Sequence, residues 1–185
     1  LLFLVAVIAA VDKNQDLLRL SSATAANDYR LGGHEAPPAI VSMYLGSELC
    51  EILDTVEHGD RYKDHGKIVM EVGVDVLPTF SLDTSDRNRT SPMAFTGNKF
   101  EFRMLGSSAS VAETNIIMNT IVADTLCDFA DELEGAEDFD RALEELLRRT
   151  IKEHRRILFN GDNYSDEWVA EAKKRGLLNI PSANE

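Results

Sequence analysis

The run Asn98-Lys99-Phe100-Glu101-Phe102-Arg103-Met104-Leu105 alternates polar and apolar side chains without a break from Lys99 to Met104. On an extended strand alternate side chains share a face, at a spacing of roughly 7 Å. Lys99, Glu101 and Arg103 then stand in a row as cation, carboxylate and cation, while Phe100, Phe102 and Met104 pack on the other side. A carboxylate flanked by cations suits an anionic, metal-bearing ligand such as a nucleotide phosphate, which is what phosphoryl transfer has to hold. The competing reading is a solvated strand face whose charges neutralise one another. The fragment alone does not choose.

Two further segments carry similar chemistry. Arg87-Asn88-Arg89 lies in a turn-rich stretch shortly before that strand, with Asp83 and Asp86 close by. Arginine is the residue for bidentate phosphate or carboxylate binding, although a surface turn with local ion pairs would read the same way. The loop from Arg30 through Gly32, Gly33, His34 and Glu35 to Pro37-Pro38 sets flexible residues beside rigid ones, a composition suited to a mobile flap on a stiff base. Glu35 on such a flap has the chemistry of a base or a cation binder; an ordinary turn is the plainer alternative. His58, His65 and His154 have no metal-ligand spacing and are expected at the surface.

The elements that must position these residues follow from patterning. Residues 1–26 read as one helix, apolar on every face to Val11, and such a helix needs cover all round. A second helix begins at Ser47 as its cap and stops at Gly59. Lys67–Val76 is strand-like. Residues 107–133 and 138–159 form two long helices, the second rich in i,i+4 ion pairs, and a last helix runs from the cap Ser165 to Gly176.

Composition sets the outer limits. The 185 residues amount to one ordinary domain, with 44% hydrophobic and 28% charged residues. The net charge of −13 disfavours non-specific binding to nucleic acid or to an anionic membrane. Much of that charge sits in residues 128–145, which hold nine acids against Arg141 and do not match an EF-hand, so a solvated face is expected there. Cys50 and Cys127 have no CxxC spacing and read as reduced thiols of a cytoplasmic protein. The apolar opening is far shorter than the ~20 residues that span a bilayer. Starting on Leu inside such a run, the chain reads as a piece of a larger protein.

Three blocks, NDYRLGGHEAPPAI, DTSDRNRTSP and GNKFEFRMLGSS, stand in an order and separation that resemble glutamine synthetase, in particular the large bacterial type III form. The trailing NIIMNTIVADTL and RILFNGDNYSDEWVAEAKKRGLLN are similar to its continuation. The resemblance implies an α+β fold in which residues 1–185 are a single partial domain. This would be the C-terminal part of the catalytic domain, a curved antiparallel sheet packed with long helices. It implies ATP-dependent ligation of ammonium to glutamate through γ-glutamyl phosphate, with Mg²⁺ or Mn²⁺, in a homo-oligomer of stacked rings (a dodecamer in type III).

By motif, Glu101 resembles a metal-ligating carboxylate, and Arg103 and Arg30 resemble binders of the glutamate substrate. Lys99, Arg87 and Arg89 fall where the family binds ATP phosphates, and Arg89 also resembles a catalytic phosphate binder. Glu35 resembles the flap glutamate that takes a proton from ammonium. Ala94 stands where the common bacterial form has a further arginine. The E-x-E metal pair, the glycine-rich segment with its histidine and the β-grasp domain precede this region in the family, so the chain alone is expected to be inactive. The neighbouring readings are a γ-glutamyl-amine ligase of similar build and a non-catalytic acidic helical module.

Overall fold

The computed structural model describes residues 1–33, 35–59, 69–70, 80–81 and 90–182. Its centre is α1 (Leu2–Lys13), in which every residue from Leu4 to Asp12 is buried. Helices α5 (Val111–Glu134) and α6 (Phe139–His154), with the 3-10 turn Arg155–Ile157, wrap it. From Leu4 onward the apolar run thus finds its cover within this chain, while Leu1 and Phe3 stay exposed.

The helix expected over 1–26 is divided. α1 ends at Lys13; Asn14 leaves helical geometry and its amide turns back to donate to the Ala10 carbonyl at 2.8 Å. α2 (Gln15–Leu20) follows and ends where the Ser21 and Ser22 hydroxyls donate to the Leu18 and Arg19 carbonyls. α3 (Ala25–Arg30) starts afresh under Thr24, whose hydroxyl accepts from the Asn27 amide. Short polar side chains compete for the backbone and break the run, which apolar periodicity does not register.

The sheet is small. β1 (Met43–Tyr44) pairs in parallel with β4 (Met93–Phe95), and β4 pairs antiparallel with β5 (Phe100–Phe102). The class is α+β, but the sheet is mixed where an antiparallel one was expected. A parallel pair needs a long crossover, and that connection contains α4 (Ser47–His58). β2 (Val69–Met70) and β3 (Phe80–Ser81) form a separate antiparallel pair. The remainder of the expected strand Lys67–Val76 lies outside the described residues.

Helix ends mostly follow their sequence signals. Ser165 caps α7 (Asp166–Lys174), accepting from the Trp168 amide at 3.1 Å. Ser47, however, is the first helical residue of α4 and makes no capping hydrogen bond; Gly46 occupies the cap position. The helix closes at Gly59, in the left-handed region at φ +75°, where an added Cβ would lie 2.8 Å from the Arg148 guanidinium. The i,i+4 pairs Arg141–Glu145 and Arg148–Glu144 decorate α6, and the nine acids of residues 128–145 are all exposed. Among the described residues no helix is long and apolar enough to cross a membrane.

His154 departs from expectation. It is buried, and its Nδ1–H donates to Asp12 Oδ2 at 2.8 Å. The same carboxylate accepts from Arg156 Nε at 2.9 and 3.0 Å and from Gln15 Nε2 at 3.0 Å. Asp12 sits at the polar end of the buried helix, where a carboxylate needs hydrogen-bonding partners; His154 is buried beside it, and Arg156 reaches it from the surface.

Candidate functional site

Strand β5 owes its position to its apolar face. Phe100 packs between Phe3 and Phe95, with ring centroids 6.3 and 5.0 Å away, and Met104 beyond the strand is buried. The opposite face carries the charged row. Lys99 Nζ lies 3.2 Å from Glu101 Oε1, and Arg103 donates from Nε and Nη2 to Glu101 Oε2 at 3.2 and 3.0 Å. Thr96 Oγ1 stands 3.5 Å from Oε1. The hydrogen bond from Arg103, then that from Lys99, holds the Glu101 carboxyl below its ordinary range. Across the ladder Glu101 faces Ala94, which is fully buried.

Arg30, at the end of α3, is set by the buried amide of Asn27. Arg30 Nε donates to Asn27 Oδ1 at 2.9 Å, and Arg30 Nη2 donates to the Met104 carbonyl at 2.8 Å. Asn27 Nδ2 in turn donates to the Ser22 and Met104 carbonyls at 2.6 and 2.8 Å. One side chain therefore joins α2, α3 and the end of β5. Asn27→Ala takes the donor from the Ser22 carbonyl and the acceptor from Arg30 Nε, leaving the Met104 carbonyl to Arg30 alone, and a loss of about 2–4 kcal/mol is expected in chemical denaturation. A loss below 1 kcal/mol would show that water replaces the amide.

The loop beyond Arg30 closes on itself through Gly32 N–H to the Pro37 carbonyl at 3.0 Å. Its base is paired to the C-terminal tail through an Ile40–Asn179 bridge and through Ile180 N–H to the Ala39 carbonyl. Arg19, itself buried and ion-paired with Asp28, holds that tail by donating to the Ile180 carbonyl at 2.7 Å. Glu35 is exposed, and its carbonyl accepts from the Tyr164 hydroxyl at 3.2 Å.

These segments meet. Arg30, Glu35, Thr90, Ser91, Arg103 and Tyr164 line one cleft of about 80 Å³. Lys99 and Glu101 do not line it and are joined to it through Arg103. Arg87 and Arg89, like His34 and His65, lie outside the described residues; Thr90, next along the chain, is on the cleft wall. Asn27 and Tyr164 escape sequence reasoning, since a buried asparagine in a run of small residues and a tyrosine in a polar loop carry no motif signal.

The cleft formed by the described residues is smaller than the few hundred Å³ typical of a complete ligand site. Nor do they complete a metal centre. Among the described residues no group of three or more His, Cys, Asp or Glu side chains could hold an ion, and Glu101 is already paired with two cations.

Among the described residues, larger concavities lie elsewhere. One of about 320 Å³ is bordered by Cys50, Arg155, Arg156 and Arg175, but each guanidinium already has a carboxylate partner, in Asp54 and Glu57, Asp12, and Glu171 respectively. Burial, foremost, raises the Cys50 thiol above its usual pKa, so it is protonated at neutral pH; Cys50 and Cys127 are both free. Another, about 510 Å³, is an apolar groove between α5 and α6.

The domain is α+β, and it turns Glu35 and two arginines, Arg30 and Arg103, toward one cleft. Residues 142–185 match the family model of the glutamine synthetase C-terminal domain. The type-3 glutamine synthetase of Dictyostelium discoideum is 45% identical, aligned with 100% of this chain and 26% of its own length. Glutamine synthetases of Butyrivibrio fibrisolvens and Bacteroides fragilis are 48% and 46% identical, each over 97% of this chain and 26% of theirs. The chain belongs to the glutamine synthetase family. It spans about a quarter of the length of these relatives.

Proposed function

We propose that residues 1–185 are one partial domain, the C-terminal part of the catalytic domain of a type III glutamine synthetase. The full-length protein, on this reading, ligates ammonia to glutamate using ATP. The observation that carries it is the convergence of Arg30, Glu35 and Arg103 on one cleft, with Arg103 bonded to Glu101.

A carboxylate resists attack by ammonia because it is a poor electrophile. Its γ-oxygen takes the terminal phosphoryl group of ATP, releasing ADP, and ammonia then attacks the acyl carbon and expels phosphate. Arg30 and Arg103 hold the glutamate, each as a fixed fork that also neutralises charge. Lys99, Arg87 and Arg89 bind the ATP phosphates, and Arg89 stabilises the phosphoryl group in transfer. Glu35 takes the proton that ammonium must lose before its nitrogen can attack.

Glu101 is assigned as one ligand of Mg²⁺ or Mn²⁺, in a site completed by residues other than those described. The ion, when bound, supplies positive charge to phosphate oxygens. Exposed apolar residues such as Phe3, Leu20 and Ile116 support burial against other segments or subunits, in keeping with a cytoplasmic stacked-ring homo-oligomer.

A hydroxylamine γ-glutamyl transfer assay with Mg²⁺ or Mn²⁺ tests this, run on the 185-residue chain and on the full-length protein. Activity in the full-length protein alone is the expected result. Activity in the short chain would overturn the incomplete metal site, and silence in both would overturn the ligase reading.

A further inference from the structure

Tyr164 is half-exposed, yet its surroundings are rigid. Its amide donates to Asp162 Oδ1 at 3.0 Å, and the Ser165 hydroxyl donates to the Asp162 carbonyl at 3.0 Å while capping α7. The preceding Asn163 is buried and accepts from the Ser42 hydroxyl at 2.7 Å, next to β1. The phenol thus projects from a base fixed to both the sheet and a helix cap. It ends at the Glu35 carbonyl and lines the same cleft as Arg30 and Arg103.

We infer that Tyr164 is a positioning residue for Glu35, its hydroxyl fixing the backbone from which that carboxylate projects toward the cleft. The inference rests on the assignment of Glu35 to the chemistry above. The loop base is held by the C-terminal tail, by the Gly32–Pro37 bond and by a Leu31–Ala36 bridge, whereas the Glu35 carbonyl itself is held by the Tyr164 hydroxyl, from a different part of the fold. A carboxylate that must meet ammonium within hydrogen-bond reach depends on such a constraint, since small misplacements are costly to catalysis.

The position of Glu35 also governs water. When the loop is displaced, water enters a site meant to exclude it. Water oxygen then bonds to the acyl carbon of the acyl phosphate, the carbon–oxygen bond to phosphate breaks, and glutamate and inorganic phosphate are released. ATP is consumed without product.

Tyr164→Phe in the full-length protein keeps the ring and removes only the donor. Amide exchange across residues 31–36 is expected to quicken by about 3–10-fold, the loss of one hydrogen bond. The kcat for glutamine falls by a similar factor, the KM for ATP stays constant, and phosphate released per glutamine rises above one. Exchange at the wild-type rate overturns the inference whatever the activity. Faster exchange with unchanged kcat and coupling overturns the role of Glu35 on which it rests, while leaving the contact itself supported.

Discussion

Glu101→Gln in the full-length protein is expected to lower glutamine synthesis by about 10³-fold or more while the thermal midpoint moves by only a few degrees. The size of the first effect follows from what the amide loses. It keeps the shape of the side chain but carries no charge, so it neither ligates a divalent ion well nor anchors the Arg103 fork. The smallness of the second follows from exposure: Glu101 is one-third accessible, its partner Lys99 is largely in solvent, and ion pairs of that kind contribute little to folding.

The pH dependence has a definite sign. The folded-state pKa of Glu101 is lowered, chiefly by the Arg103 hydrogen bond and then by Lys99. The stabilisation this represents is complete above the ordinary carboxylate range and is lost as pH falls through the lower folded value. Glu101 therefore adds no limb to a rate profile near neutrality, and Arg103→Ala should shift its acidic limb upward. Glutamine formation within tenfold of wild type for Glu101→Gln, measured alongside circular dichroism, would sink the site assignment.

The largest stability effect is expected at Asp12, remote from the cleft. Its side chain is 2% exposed and takes hydrogen bonds from His154, Arg156 and Gln15. Asp12→Ala leaves the imidazole and guanidinium facing each other at the end of a buried helix, and losing one partner of a buried charge cluster costs about 3–5 kcal/mol. The lower end applies, because Arg156 is 42% exposed and can turn to water. Asp12→Asn, which retains one acceptor, should cost less. Denaturant unfolding measures both, and a midpoint unchanged by Asp12→Ala would mean that the cluster contributes nothing net.

Neither of these sites was equally visible in the residues. Strict alternation at Lys99–Met104 identified the charged face of β5 because a pleated strand has a period of two, and neighbouring pairs at 3.0–3.2 Å are local consequences of that period. Apolar character marked α1 as a buried helix, and the Ser165 and Gly59 signals marked real ends, since caps act within a turn of the chain. Local competition was harder to read. Asn14, Ser21, Ser22 and Thr24 divide the first helix by bonding to nearby backbone, which a reading of apolar periodicity passes over.

The sequence by itself therefore determined what is local: which side chains share a face, where most helices end, and, through long matching blocks, the family. Tertiary structure alone decided what is distant. His154 is interior because Asp12, 142 residues earlier, needs a buried donor. β1 lies parallel to β4 because α4 intervenes between them. Arg30 and Arg103 share a cleft because Asn27 ties α3 to the Met104 carbonyl, 77 residues away. Such contacts depend on how finished elements pack, and no short-range period in the chain encodes them.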